Sequence, residues 1–299
     1  MEVLAEPEYP ALFRVADTSA NSGQHRLLVA TALRLIALLS AAVLGTFSVN
    51  VGRLDLAAVG AAAGLGTALV VEVWLLTERP DRQWYESRAA AESAKTLAWR
   101  YAVAGQPFGL ADQGHDHDHD QQAAEELLLH RFSTITGNLT GLVMPVDGAE
   151  GLQVTPEMRR MRALSLDERR QSYRIGRIED QRRWYGKRAR QHGRSVTRWS
   201  VFLAAMEALG LIAAMLGAVQ LINIDLPGIA GALAAGGLAW VQTRQHQQLT
   251  NAYAIAAQEL GHIESRIEWP STEIEWAHFV DEVEEAISRE HTLWWASHA

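Results

Sequence analysis

No cysteine occurs among the 299 residues. That absence excludes a disulfide-stapled secreted domain and any thiolate redox or zinc-thiolate chemistry. Catalytic signatures are missing too: there is no phosphate-cradling glycine loop, no nucleophile elbow and no HExxH pair. No stretch alternates apolar and polar residues as a half-buried strand does. The chain therefore reads as helical throughout and as no enzyme, with no cofactor implied. Charge is also missing, but only locally. Charged residues make up 21% of the sequence and hydrophobic ones 48%, averages typical of a soluble protein, yet long apolar blocks contain almost none of the charge.

Four such blocks stand out. Leu27–Val49 holds one charge, Arg34, and Leu54–Leu76 holds Asp55 and Glu72 near its ends. Trp199–Ile222 is interrupted by Glu207 and Gln220, and Leu226–Val241 is the shortest and weakest. At 1.5 Å per residue, the first two blocks span roughly 34 Å, enough for a hydrocarbon core of about 30 Å. A helix apolar on every face needs apolar surroundings on every side, which 299 residues this rich in charge do not supply for four helices. Trp74, Trp199 and Trp240 mark block ends, as interfacial aromatics do.

The links Asn50–Arg53 and Asn223–Asp225 make each pair of blocks a tight hairpin. An even number of spans puts both termini and the long middle segment on one side. Of the 27 Lys and Arg residues, all but Arg34 and Arg53 fall on that side, and the positive-inside rule makes it cytoplasmic. The expected topology is multi-pass, with the N- and C-termini cytoplasmic. The first apolar run begins only at Leu27, so no cleavable leader is expected.

The hairpins read as copies. Shifting the numbering by 172 superposes Leu12-Phe13 on Trp184-Tyr185, Arg26 on Arg198, Gly45 on Gly217, Leu54 on Leu226 and Gly64 on Gly236. Both copies run in the same direction, unlike inverted transporter repeats. The expected fold is an all-α membrane protein: four transmembrane helices as two tandem parallel-repeat hairpins with long cytoplasmic helical extensions. The expected domains are 1–108 with spans 27–49 and 54–76, a linker at 109–164, 165–269 with spans 199–222 and 226–241, and a C-terminal amphipathic helix at 270–299. The repeat sets Arg34 beside Glu207 in depth. Charges at such depth are costly unless paired or wet, so Arg34, Glu207 and Glu72 are candidate pore residues, with an Arg34–Glu207 pair or a wet cavity expected. Snorkelling of Arg34 to the headgroups is the plainer alternative. Gly60, Gly64 and Gly236 lie in small-residue stretches that let helix backbones approach in lipid, which favours a homo-oligomer in the bilayer.

Helical spacing also dominates the polar segments. Arg82–Val103 continues past Pro80, a helix covers about Gln121–Phe132, and Thr134–Gly151 reads as irregular. Ser165-Leu-Asp-Glu168 is a capping box leading into the third span, and Thr272 with Glu275 opens the last helix. Ile274, Val280, Val283 and Ile287 give that helix an apolar face. Trp84, Tyr85, Trp99, Tyr101, Trp184 and Tyr185 are expected where these helices pack. The arginine-dense segment Arg159–Arg198 is interleaved with acids and abuts a span, so attraction to anionic lipid explains it better than nucleic acid. His115, His117 and His119 alternate with aspartates and could catch a divalent ion, which keeps open a metal-transporter reading; adventitious binding by a solvated loop is the plainer one.

Ser93-Ala-Lys-Thr-Leu-Ala-Trp-Arg-Tyr101, followed by Gln106-Pro-Phe108, resembles the stretch after the hairpin in SLATT domains. Tyr173-Arg-Ile-Gly-Arg-Ile-Glu-Asp-Gln181, then Trp184-Tyr185 and Lys187-Arg-Ala189, is similar to the helix leading into the hairpin of a second SLATT subfamily. The resemblance covers most of 10–268 as two fused units. It implies an oligomeric, pore- or ion-channel-forming membrane effector of prokaryotic antiviral defence, located in the bacterial inner membrane and triggered by a nucleotide-sensing partner protein. This chain carries no visible nucleotide-binding domain of its own. A divalent-metal transporter and a non-conducting membrane scaffold for a soluble partner are the alternatives.

Overall fold

The computed structural model describes residues 8–110, 117–137, 139, 151–221 and 224–296, with side chains placed up to 288 and not at 117 or 118. Helices dominate: α1 (Ala11–Leu44), α2 (Leu56–Glu78), α3 (Pro80–Ala102), α4 (His117–Gly137), α5 (Pro156–Arg162), α6 (Leu166–Tyr173), a π-helical turn (Arg174–Glu179), α7 (Asp180–Ala218), α8 (Leu226–Arg244), α9 (His246–Glu264) and α10 (Glu273–Ala296). The only strands among the described residues are β1 (Asn50–Val51) and β2 (Leu54–Asp55), a two-residue antiparallel ladder closing the first hairpin. Gly52 adopts φ +67° in that turn, a conformation that L side chains resist. Asp55 then caps α2, accepting from the amides of Ala57 and Ala58. Asp225 caps α8 in the same way, accepting from Gly228.

Contacts divide the chain into two compact units. A hairpin unit comprises 24–81 and 188–251; a bundle unit comprises 1–23, 82–187 and 252–299. Within the hairpin unit, large apolar side chains face outward, among them Val29 and Ile36 of α1, Leu65, Leu69 and Val70 of α2, and Leu211 and Ile212 of α7. An apolar exterior of this extent belongs against lipid. Three helical stretches among the described residues are long and apolar enough to cross a membrane: Ala11–Leu44, Leu56–Ala102 and Leu166–Ala218. The fourth expected span, within α8, falls outside that set.

Small residues set the helix spacing in the hairpin unit. A Cβ on Gly64 would lie 2.8 Å from the Ala37 carbonyl oxygen, so α2 rides against the backbone of α1. A Cβ on Gly236 of α8 would lie 3.0 Å from the Leu39 side chain, one on Gly60 2.8 Å from Leu44, and one on Gly210 3.3 Å from Ala230. Backbones this close gain dispersion contacts that larger residues would block.

The bundle unit is built like a soluble core. Leu12, Ala91, Ala98, Trp99, Tyr101, Leu128, Met158, Tyr173, Ile178, Trp276 and Val280 are all at most 1% exposed. α2 ends at Arg79, which turns left-handed at φ 44°, and Pro80 opens α3. The chain thus breaks where proline cannot accept a continuing helix. The Ser165–Glu168 capping box is present. So is that of α10, with the Glu275 amide bonded to Thr272 Oγ1 and the Thr272 amide to Glu275 Oε2. Ile274, expected on the apolar face of α10, is instead 54% exposed; Trp276, Val280, Val283 and Ile287 make that face. It lies in the first turn of the helix, one residue after its start.

Candidate functional site

Two sites gather charge where the surroundings are apolar. The first is in the hairpin unit. Arg34 of α1 forms an ion pair with Glu72 of α2, the side chains being 32% and 42% exposed. Helical spacing puts the two at matching depth on antiparallel neighbours. The partner anticipated for Arg34 was Glu207; that residue stands exposed on α7, and Glu72 takes its place. Glu72 was legible as an intramembrane charge, but only the hairpin's register tells which acid faces Arg34.

The second site is the centre of the bundle unit, and its residues escaped the sequence reading. Glu284 of α10 is fully buried. Its carboxylate accepts from Tyr173 Oη at 2.8 Å, Thr96 Oγ1 at 2.9 Å, Arg177 Nε at 2.8 Å and Arg177 Nη2 at 2.6 Å. Arg177 is 1% exposed and lies in the π-helical turn. Its Nη1 has no hydrogen-bond partner. Burial pushes the Tyr173 hydroxyl far above its usual pKa, and the Glu284 charge adds to the effect. Burial also lowers the Lys95 pKa, with Arg177 adding repulsion; the ammonium stays over the rings of Tyr9 and Phe13. A signal for Glu284 did exist. It falls at helical spacing between Val280, Val283 and Ile287, an acid on an apolar stripe.

A π turn widens the helix by one residue and persists where tertiary contacts compensate, often at functional positions. Here the compensating contact is the forked Arg177–Glu284 pair, the bidentate geometry that guanidinium and carboxylate favour.

Around this centre, the end of α3 is tied down. The last carbonyls of a helix lack intrahelical donors. Arg162 Nη1 donates to the carbonyls of Tyr101 and Phe108, and Arg169 Nη1 and Trp276 Nε1 both donate to that of Val103. Gly105 has no room for a side chain: a Cβ there would sit 2.3 Å from Val280 Cγ1. Trp99 donates to Tyr9 Oη at 2.9 Å and stacks edge-on against Tyr173.

The other aromatics also lie in this unit. Trp84 stacks on Tyr85, while Trp184 and Tyr185 both pack against Tyr253. The first half of the arginine-dense segment pairs with acids: Arg159 with Glu125, the buried Arg169 with Glu273, and Arg170 with Asp167. The Arg159 hydrogen bonds hold the Glu125 carboxyl down at about 2, against a smaller upward push from burial.

His115 lies outside the described residues, and the His117 side chain does too; His119 is exposed on α4. Among the described residues, no group of three or more histidines, aspartates and glutamates is placed to hold a metal ion.

Comparison with known families gives two matches. Residues 10–170 match SMODS and SLOG-associating 2TM effector domain 3, and residues 173–294 match SMODS and SLOG-associating 2TM effector domain 1. No curated protein and no solved structure matches the chain. The central cluster unites both matches, with Thr96 supplied by the first and Tyr173, Arg177 and Glu284 by the second. The chain belongs to the SLATT family of membrane effector domains, as two fused SLATT-like units.

Proposed function

We propose that this protein is a homo-oligomeric membrane effector whose hairpins surround a regulated ion pathway, serving prokaryotic defence signalling. The carrying observation is the Arg34–Glu72 pair. A charge at the centre of a span costs about 2.5–3.5 kcal/mol on insertion scales and less toward the ends, so Arg34 and Glu72, the latter four residues from the end of its block, carry part of that cost, which pairing lowers further. Both partners remain partly exposed in the single chain, at 32% and 42%, while their neighbours Leu33, Leu69, Val70 and Val73 are apolar and exposed. Water in a shared pathway, or a second copy of the chain, removes the remaining cost. Lipid does not.

In this reading α8 is the fourth span. The termini and the bundle unit lie in the cytoplasm of a bacterium, as the distribution of Lys and Arg supports. The bundle unit is the docking and gating part, answering a soluble nucleotide-sensing partner, and neither catalysis nor nucleic-acid binding is involved. The test is current through purified protein in planar bilayers. Wild type conducts once triggered, and R34Q and E72Q shift its cation-to-anion permeability ratio in opposite directions. Silence under every trigger, with a monomeric mass in detergent, refutes the proposal.

A further inference from the structure

The second half of the arginine-dense segment behaves unlike the first. Arg190, Arg194 and Arg198 are exposed on α7, and among the described residues none of them has an acidic partner. At 100° per residue they fall on one stripe with Thr197 and Val201. Arg194, Thr197, Arg198 and Val201 share one open face of α7. That face turns apolar at Val201, two residues beyond Trp199, the aromatic that marks the start of the third span.

The surrounding charge has one sign. No aspartate or glutamate occurs from Gln181 to Met206 on α7, nor from Leu226 to Gln258 along α8 and α9, the latter helix touching α7 where Gly193 meets Thr250. Two exposed guanidiniums with no acidic partner among the described residues, next to an apolar side chain where the third span is expected to begin, match a phosphodiester carrying acyl chains. Guanidinium forks engage phosphate oxygens directly, and Val201 lies on the side where the first methylenes would run. A free phosphate has no use for that apolar neighbour. A nucleic acid would have to approach through the headgroup layer.

We propose that Arg194 and Arg198, with Thr197 and Val201, form a binding site for the headgroup of an anionic phospholipid. The site rests on α7 crossing the membrane and is independent of whether the protein conducts. The test is native mass spectrometry of the full chain released from detergent with added phosphatidylglycerol or phosphatidylcholine. Wild type retains phosphatidylglycerol in preference to phosphatidylcholine. At about 1 kcal/mol for each cation near the anionic surface, R194Q/R198Q weakens that retention by about 30-fold. R131Q, on α4, leaves it unchanged. A circular-dichroism melt matching wild type shows that the double variant is folded, as expected for residues with no intramolecular partner. Equal retention of the two lipids overturns the proposal, as does retention unaffected by R194Q/R198Q. Displacement of bound phosphatidylglycerol by equimolar inorganic phosphate assigns this face to free anion and also overturns it, as does displacement by a short RNA.

Discussion

Replacing Glu284 by Gln tests the buried centre most sharply. The carboxylate accepts four hydrogen bonds from three residues, and Glu284 is fully buried. An amide keeps the shape but turns one acceptor into a donor facing Arg177 or the hydroxyls. It also leaves the guanidinium charge buried and uncompensated. Breaking a buried pair from one side costs about 3–5 kcal/mol. For a unit of this size that lowers the melting temperature by about 10 °C, read by circular dichroism or by fluorescence of the buried Trp99 and Trp276. The combination R177M/E284L removes both charges, so its loss is smaller than the sum of the single losses. It is not full recovery, because Tyr173 and Thr96 lose their acceptor. A loss below about 1 kcal/mol for E284Q, or strict additivity in the double variant, refutes the reasoning.

Gly105→Ala places a methyl group against Val280 and destabilises by about 1–3 kcal/mol; adding Val280→Ala recovers only part of it in the same melt, because the Val280 Cβ still lies 2.8 Å from the new methyl. His192 and His246 face each other with Nδ1 atoms 2.9 Å apart. Burial, then the neighbouring His246 and Arg244, lowers the His192 pKa to about 4. Because the folded state resists protonation, stability is full above the unfolded value of about 6.5 and falls as pH drops from there toward 4; His192→Asn flattens that slope. Glu125→Gln costs less than about 1 kcal/mol, since Arg159 is a largely exposed partner. Its contribution to stability holds above the ordinary carboxyl range and is lost only as pH falls toward 2.

The fold class and the apolar blocks were legible because lipid-facing helices lack charge over whole turns, a signal that survives without tertiary knowledge. Helix starts at Ser165 and Thr272 were legible for a similar reason, since a capping box is a local hydrogen-bond pattern. The ion pairs were not. Arg34 could face Glu72 or Glu207, and sequence depth alone does not choose between neighbours on different helices. Arg162, Arg169 and Arg177 looked like a lipid-facing basic run, yet they donate inward to carbonyls and acids 54 or more positions away. Only Glu284 advertised its burial, by standing on an apolar stripe.

The absence of cysteine makes the central claim directly measurable. Single cysteines at Glu72 and at Val70, two residues apart on α2, can be probed in membranes with a charged, water-soluble thiol reagent. The account predicts rapid labelling at 72 and protection at the lipid-facing 70. Equal protection at both positions, or faster reaction at 70, contradicts a water-lined pathway past the Arg34–Glu72 pair.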